Sequence, residues 1–464
     1  MTYFFETYGC QMNTAESASV EQLFLARGWT KAGGAQIADV AIINTCSVRE
    51  TAENRVFGRL GWYAGLKALR AGEAGAKSKS LEEAADYVKD GAKPLTLVVM
   101  GCMAERLLDS LKTNHPYIDY VVGTFAKHKF GQIIEAAEEQ RAAFPIDNTD
   151  AYKFAPLSYE HGSFTSFVPI MHGCNNFCTF CIVPHVRGRE CSRPVSDILK
   201  EIDTLSSYGV KEITLLGQNV NSYKGLDENG STVNFAALLR RIANRLRETK
   251  SPIGWVRFMS SHPKDLSDDV IAVIAQEDVL CRHIHLPVQH GSNDVLRRMN
   301  RGYTAEKYLA LIDKIRSSIP DVSLTTDIML GFPGETDEDF KKTMELMERV
   351  RYETAFMYYY NPREGTPAAK MTGQVPLNLK KARLQKVIDL QLKITGEEMR
   401  LRTGRTVKVL AESISRDSPD ELLGKTEQDE RVAFAAPKNL IGQFCEVYIE
   451  ALSGNTFRGT LCTS

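Results

Sequence analysis

Three cysteines, Cys174, Cys178 and Cys181, stand in a C-x3-C-x2-C spacing within Cys174-Asn175-Asn176-Phe177-Cys178-Thr179-Phe180-Cys181. This spacing constrains the chain more than any other feature. A structural zinc site closes all four of its positions, and neither a fourth cysteine nor a finger-type histidine pair accompanies these thiols. Three thiolates suit an iron–sulfur cluster with one iron left open, where a bound small molecule can supply the last ligand. A zinc knuckle with a remote fourth ligand is the alternative, and iron and sulfide analysis separates the two.

The 464 residues suffice for about three domains. Lys and Arg total 57 against 58 Asp and Glu, so net charge gives no argument for nucleic acid and any basic surface is local. No apolar run approaches the roughly 20 residues that cross a bilayer, and Met1–Glu6 lacks the pattern of a signal peptide. A cytoplasmic, reducing location is expected, where ten cysteines do not form a disulfide framework.

Residues 1–125 alternate short β-branched runs with amphipathic stretches. Tyr3–Gly9, Ala38–Thr45 and Leu95–Met100 read as strands of a parallel α/β sheet. Each ends at a cysteine, in Gly9-Cys10, Thr45-Cys46 and Gly101-Cys102. Ligands gather beyond the carboxyl ends of strands in such sheets. The fold can therefore bring Cys10, Cys46 and Cys102 together as a second three-thiol cluster site, with buried packing cysteines as the alternative. Leu66–Lys93, rich in Ala, Gly, Lys and Glu, reads as a helical hairpin or insertion without chemistry. Phe125–Gln140 reads as a helix, and Arg141–His161 as a linker.

Six strand-like runs follow: Ser166–Met171, Glu212–Gly217, Trp255–Ser260, His283–Val288, Ser323–Leu330 and Thr354–Tyr360. Helix-like stretches intervene at Val195–Ser207, Asn234–Glu248, Leu266–Ala275, Ala305–Ser317 and Asp337–Val350. Six βα units predict a partial TIM-type barrel with chemistry at its strand ends; a doubly wound sheet ranks second. Gly217, Gln218, Asn219, Ser260, Ser261, Gln289 and Asp327 fall at those ends, either as pocket residues or as polar turns. Lys370–Arg405 reads as a long helix with nine bases (Lys370, Lys380, Lys381, Arg383, Lys386, Lys393, Arg400, Arg402, Arg405) against three acids. It is either a phosphate-contacting stripe or a solvated face. Arg187, Arg189 and Arg193, after the cysteine loop, raise the same choice. Thr406–Glu412, Leu422–Gln428, Arg431–Ala435, Phe444–Ala451 and Thr456–Cys462 predict a small β-barrel of the oligonucleotide-binding kind. Cys191, Cys281, Cys445 and Cys462 are expected in the core.

Both triplets, the barrel rhythm and the β tail resemble the methylthiotransferases of the radical S-adenosylmethionine (SAM) superfamily over nearly the whole length. The matching stretches are Thr7-Tyr8-Gly9-Cys10-Gln11-Met12-Asn13, Asn44-Thr45-Cys46-Ser47-Val48-Arg49, Gly101-Cys102 and Gly217-Gln218-Asn219-Val220-Asn221-Ser222-Tyr223. His285-Leu286-Pro287-Val288-Gln289 through Asn300-Arg301-Gly302-Tyr303, and Thr326-Asp327 through Gly331-Phe332-Pro333-Gly334-Glu335-Thr336, complete the match. Gly-Cys-Gln-Met-Asn at the first cysteine is similar to the branch acting on N6-(dimethylallyl)adenosine in tRNA. Asn361-Pro362-Arg363-Glu364-Gly365-Thr366-Pro367 departs from the usual Ser-Pro-Arg-Pro-Gly-Thr-Pro. Gly424-Lys425-Thr426 departs from Gly-Arg-Thr, trading a phosphate fork for a point charge.

The resemblance implies a methylthiotransferase domain over residues 1–140, a linker over 141–161, a radical SAM core over 162–400 and a TRAM barrel over 401–464. It implies a 4Fe–4S cluster on Cys174, Cys178 and Cys181 that binds SAM and yields a 5′-deoxyadenosyl radical. That radical takes hydrogen from C2 of the adenine, a bond no side-chain base can break. It further implies a second 4Fe–4S cluster on Cys10, Cys46 and Cys102 for sulfur delivery, with a second SAM giving the methyl group. Phe180, Gly217, Gln218, Asn219, Ser260, Gln289 and Asp327 are the implied SAM-side residues, Phe180 being a core aromatic otherwise. Arg187, Arg189, Arg193, Lys380, Lys381 and Lys425 are candidates for RNA contact, with no side-chain acid or base assigned. The expected partners of this monomer are a tRNA anticodon stem-loop, a flavodoxin- or ferredoxin-type reductant and a sulfur donor or iron–sulfur carrier. Modification of an aspartate β-carbon on a ribosomal protein, or of threonylcarbamoyladenosine in tRNA, remains open. So does an iron–sulfur RNA-binding sensor without turnover.

Overall fold

A computed structural model describes residues 1–47, 50–73, 79–85, 88, 93–146 and 151–462. The chain divides into two compact units, Met1–Asn175 with Ile182–Arg193, and Asn176–Cys181 with Pro194–Ser464.

The first unit is built on β1 (Thr2–Tyr8), α1 (Gln11–Leu25), β2 (Thr30–Lys31), β3 (Val40–Thr45), α2 (Glu50–Arg70), α3 (Lys79–Ala85) and β4 (Thr96–Gly101). It continues with α4 (Cys102–Arg106), α5 (Leu108–Asn114), β5 (Tyr120–Val122) and α6 (Phe130–Glu138). The sheet order is β2-β1-β3-β4-β5, and every pairing is parallel. Strand alternation sends Ala41, Ile43, Leu97 and Val99 to one buried face, against α2 and its neighbours. Val40, Ile42, Val98 and Met100 go to the other, with Phe24, Phe130 and Ile133. Burial on both faces is what parallel strands require. The helix expected from Phe125 starts at Phe130, after a 3₁₀ turn over Lys127–Lys129. Of the Leu66–Lys93 segment, α2 and α3 account for two pieces and much of the rest lies outside the described residues, as do Val48 and Arg49. Then come β6 (Thr165–Pro169), β7 (Met171–His172), α7 (Val183–Arg187) and β8 (Cys191–Ser192).

The second unit runs α8 (Val195–Ser207), β9 (Glu212–Leu216), β10 (Lys224–Leu226), β11 (Thr232–Asn234), α9 (Phe235–Glu248), β12 (Trp255–Phe258), α10 (Asp268–Gln276) and β13 (His283–His285). It proceeds through α11 (Asn293–Arg298), α12 (Ala305–Ser318), β14 (Ser323–Leu330), α13 (Asp337–Val350), β15 (Thr354–Tyr359) and α14 (Leu377–Arg400). β9 pairs with β12, and β14 lies between β13 and β15, all parallel. The β10–β11 hairpin and α11 have no counterpart in the sequence reading. β13 stops short of the expected Val288 because Pro287 has no N–H to continue a ladder. α10 starts at Asp268, where the Ser267 hydroxyl accepts the Val270 N–H as a cap.

The expected basic helix begins only at Leu377, after Pro376. Its bases are divided between the interior and the surface, where Lys381, Lys386, Lys393 and Arg400 are exposed. Lys380 and Arg383 are buried, Lys380 donating to the Tyr360 carbonyl at 2.8 Å and Arg383 pairing with Glu335 at 2.8 Å. The last five strands, β16 (Thr406–Ile414), β17 (Glu421–Thr426), β18 (Arg431–Ala435), β19 (Phe444–Ser453) and β20 (Thr456–Leu461), close as β16-β17-β18-β20-β19. Val409, Leu422, Val432, Phe434, Val447 and Phe457 fill this barrel, and Met399 of α14 joins them. Cys445 and Cys281 are core as expected and Cys191 is half-buried, but Cys462 is exposed, one residue past β20.

Candidate metal centres

In the first unit β1, β3 and β4 are adjacent, so their carboxyl ends lie side by side and deliver Cys10, Cys46 and Cys102 to one edge. Glycine is required before Cys102. Gly101 has φ +99°, and a Cβ there would collide with the Thr45 carbonyl oxygen and the Asn44 side chain. At Gly9 a Cβ would overlap the Asn13 side chain and reach 3.0 Å from the Cys46 Cβ. Asn13 ties the edge together. Its Oδ1 accepts from the Cys10 N–H at 3.1 Å and the Cys10 thiol at 3.3 Å, while its Nδ2 donates to Asn44 Oδ1 at 2.9 Å and the Thr45 carbonyl at 3.1 Å.

The electrostatics favour thiolate at one member. The Cys46 thiol donates to Cys10 and Arg187 lies close by, which together pull Cys10 from the ordinary 9 down to about 6 against partial desolvation, while part of its surface stays exposed. Cys102 is pushed the other way by burial, opposed by Arg187. Among the described residues no three His, Cys, Asp or Glu side chains are grouped to hold a single ion. Thiolates of a cluster bind separate irons, so they need not crowd as ligands of one zinc do.

Of the other triplet, Cys174 belongs to the first unit, where its N–H donates to the Gly188 carbonyl at 3.2 Å. Cys178 and Cys181 belong to the second unit, in a loop tied to the end of α11. The Thr179 N–H donates to Met299 O at 3.1 Å, and Asn300 Nδ2 donates to the carbonyls of Asn176 and Phe177 at 3.2 and 3.0 Å. Arg301, 5% exposed, donates through Nη1 to Cys178 Sγ at 3.3 Å and through Nη2 to the Pro287 carbonyl at 2.7 Å. Phe180 is half-buried against Val295, Met299 and Phe332, so its ring is at least partly core.

Beside this loop, several buried polar atoms at strand ends have no partner among the described residues: Asn219 Oδ1, Asn221 Nδ2 and His262 Nε2. His262 Nδ1 accepts the Lys264 N–H at 3.2 Å, so its Nε2 carries the hydrogen, and burial with Arg301 and Lys264 holds the ring neutral. Asn219 Nδ2 donates to Asp265 at 2.7 Å, and Lys264 reaches Asn176 at 2.8 Å. Buried polar groups seldom stay unsatisfied, and this donor–acceptor set suits a polar ligand carrying both donors and acceptors, as SAM does. Ser260 and Gln289 each adopt φ +70°, a strained conformation typical of binding sites. Gln289 Oε1 accepts from the Tyr358 hydroxyl at 3.1 Å, and Asp327 lies 3.7 Å from His285. Gly217 is buried and Gln218 half-buried at the end of β9.

The expected RNA contacts mostly fail. Arg187 is 3% exposed and ion-paired to Glu16 at 2.9 Å. Arg193, 1% exposed, donates to the carbonyls of Pro169 and Pro156 at 3.3 and 3.2 Å. Lys425 is held by Glu212 at 2.8 Å and Glu412 at 3.3 Å, and Lys380 is buried as described. Each of these charges is engaged within the protein, while Arg189 and Lys381 lie at exposed positions. The reading missed Asn13, Glu16, Lys127 and Arg301. Asn13 and Arg301 stand in the quoted motifs, three residues after Cys10 and next to Asn300, but nothing in one sequence assigns them a role.

The Radical SAM superfamily pattern matches residues 168–347 and that of the uncharacterized protein family UPF0004 residues 2–123. The solved structure of the radical S-adenosylmethionine methyltransferase TsrM from Kitasatospora setae aligns with a TM-score of 0.56 at 13% identity, over 79% of this chain and 75% of that one. The fold is thus that of the radical SAM class. Among curated proteins, tRNA-2-methylthio-N(6)-dimethylallyladenosine synthase of Treponema pallidum is 53% identical over 99% of both chains. Those of Treponema denticola and Thermoanaerobacter pseudethanolicus are 50% and 42% identical over 99% of this chain, and over 100% and 92% of their own. The chain belongs to the family of the tRNA-2-methylthio-N(6)-dimethylallyladenosine synthases.

Proposed function

We propose that this chain is a tRNA methylthiotransferase that converts N6-(dimethylallyl)adenosine beside the anticodon to its 2-methylthio derivative. The observation that carries the reading is the meeting of Cys10, Cys46 and Cys102 at three adjacent strand ends, in a member of that family. Residues 1–140 would carry this site, 162–400 the radical chemistry after the 141–161 linker, and 401–464 the RNA-binding barrel.

Cys174, Cys178 and Cys181 would hold one 4Fe–4S cluster, and Cys10, Cys46 and Cys102 another. Bound there, the first group would supply radical initiation with SAM, and the second would supply the sulfur for transfer. The chain's own residues prepare for these groups. The lowered Cys10 gives a thiolate ready to ligate near neutral pH, and Arg301 aims a guanidinium at Cys178. Asn219, Asn221 and His262 offer unsatisfied donors and acceptors for SAM, with Gly217, Gln218, Ser260, Gln289 and Asp327 at neighbouring strand ends. A single-stranded anticodon loop lets the target base leave its stack at modest cost. A flavodoxin- or ferredoxin-type reductant, a sulfur carrier, a monomeric state and a cytoplasmic location complete the reading. No helix among the described residues is long and apolar enough to cross a membrane.

The test is incubation with SAM, reductant and a dimethylallylated anticodon stem-loop, followed by mass spectrometry of nucleosides. A methylthio-bearing nucleoside is expected. Its absence with both clusters verified, or product only on a ribosomal-protein peptide, rejects the assignment.

A further inference from the structure

Arg187 does more in the first unit than fill space. Its Nε donates to Cys102 Sγ at 3.2 Å, while Nη1 and Nη2 grip the two Glu16 oxygens at 2.9 and 3.3 Å. Glu16 is 2% exposed and receives a second cation, Lys127 Nζ, at 2.8 Å. Lys127 also donates to the Tyr152 hydroxyl at 2.8 Å, and the Tyr152 ring stacks on His172 at 3.6 Å. Burial and the two cations hold His172 neutral, so it adds no charge.

Arg187 and the largely buried Lys127 thus share one carboxylate, so among the described residues the second positive charge is left for anionic sulfur at Cys10 and Cys102 to match. Burying an uncompensated charge is costly, and a permanent anion at the thiols removes the cost. Three thiolates on a 4Fe–4S core of two positive charges carry one net negative charge, which matches the surplus in sign and size.

We propose that Arg187, Glu16 and Lys127 form a charge-setting network for the group held by Cys10, Cys46 and Cys102. Arg187 is the positioning residue at Cys102, and Lys127 provides the surplus charge that keeps the reduction potential of that group high. The proposal rests on the reading that these cysteines hold a cluster.

The test uses full-length protein carrying Cys174→Ala, Cys178→Ala and Cys181→Ala, reconstituted anaerobically with iron and sulfide, so that one site gives the signal. Dithionite titration is followed by electron paramagnetic resonance. At the potential that half-reduces this parent, Lys127→Met should lower the ratio of reduced to oxidised cluster by about tenfold, the scale of a charge-assisted contact. Glu16→Gln should raise the ratio by a similar factor, and Lys127→Arg should leave it within about twofold. A merely structural role lowers occupancy in these variants without opposite shifts. Shifts of one sign, or none, with a parent that titrates normally, overturn the network. A parent that binds neither iron nor sulfide overturns the underlying cluster reading instead. If Glu16→Gln does not fold, Lys127→Met against Lys127→Arg decides the matter alone.

Discussion

Cys10, Cys46 and Cys102 meet because β1, β3 and β4 are neighbours, whereas Cys178 and Cys181 share one short loop that Thr179, Asn300 and Arg301 tie to α11. Both sites aim a buried guanidinium at a cysteine sulfur. Arg187 does so inside a network with Glu16 and Lys127, while Arg301 bonds Cys178, the Pro287 carbonyl and the Tyr303 hydroxyl. The contrast separates two ways of holding thiols. One depends on a whole sheet and a distributed charge balance, the other on local hydrogen bonds and a single cation.

The largest expected effect tests the division of labour. Cys174→Ala should abolish both 5′-deoxyadenosine and the methylthio product, while Cys102→Ala should spare the first and cut the second by at least about a hundredfold, since no other ligand replaces a missing thiolate. Chromatography of both products decides it, and methylthio product from Cys102→Ala would dissolve the comparison.

Next comes dependence on the sheet. Gly101→Ala forces a Cβ onto the Thr45 carbonyl at φ +99° and should cost about 2–4 kcal/mol in unfolding of the metal-free protein. Urea titration reads this, and a loss below about 0.5 kcal/mol would show that the edge is softer than its geometry.

The local site should respond more modestly. Arg301→Met removes a charge-assisted bond to Cys178 and should lower the reducible fraction of that cluster by about tenfold at fixed potential. Arg301→Lys should recover part of it, with the Cys10, Cys46 and Cys102 site unaffected. Spectroscopy of a Cys10→Ala, Cys46→Ala, Cys102→Ala background isolates the signal.

A pH experiment sharpens the difference further. The Cys10 thiol is depressed from 9 to about 6 in the folded state. Its thiolate therefore stabilises the metal-free fold fully above pH 9, and that contribution fades as pH falls through about 6. Alkylation of Cys10 by iodoacetamide should be half-maximal near pH 6, and Cys46→Ala should move the midpoint upward because its donated hydrogen bond is the largest cause. An unmoved midpoint would assign the shift to Arg187.

The smallest effects belong to the surface. Arg189→Ala and Lys381→Ala should each reduce the salt slope of tRNA binding by about one unit or less, whereas Lys425→Ala should act on stability instead. Filter binding across salt concentrations distinguishes them.

Strand–helix alternation made the sheet and the order of elements legible, with Val195–Ser207 and Asp337–Val350 matching the observed helices at both ends. Boundaries slipped where a cap or a proline intervened, at Ser267, Pro287 and Pro376. The charged residues were far less readable. Arg187 follows a cysteine loop and looks solvated in sequence, yet its carboxylate partner lies 171 positions away. Lys380 sits in a basic run, yet the Tyr360 carbonyl just after β15 takes its ammonium.

What the linear order settles is therefore periodicity and spacing. Alternating apolar runs dictate parallel strands, and cysteines placed just after three of them, or seven residues apart in one loop, already name the chemistry of soft ligands. Neither burial nor charge pairing can be read the same way. A side chain's charge is a local property, but whether it meets water or a counter-ion depends on long-range contacts. Only the folded chain could decide that Arg187, Lys127 and Glu16 face inward, behind the thiols of Cys10 and Cys102 rather than toward RNA.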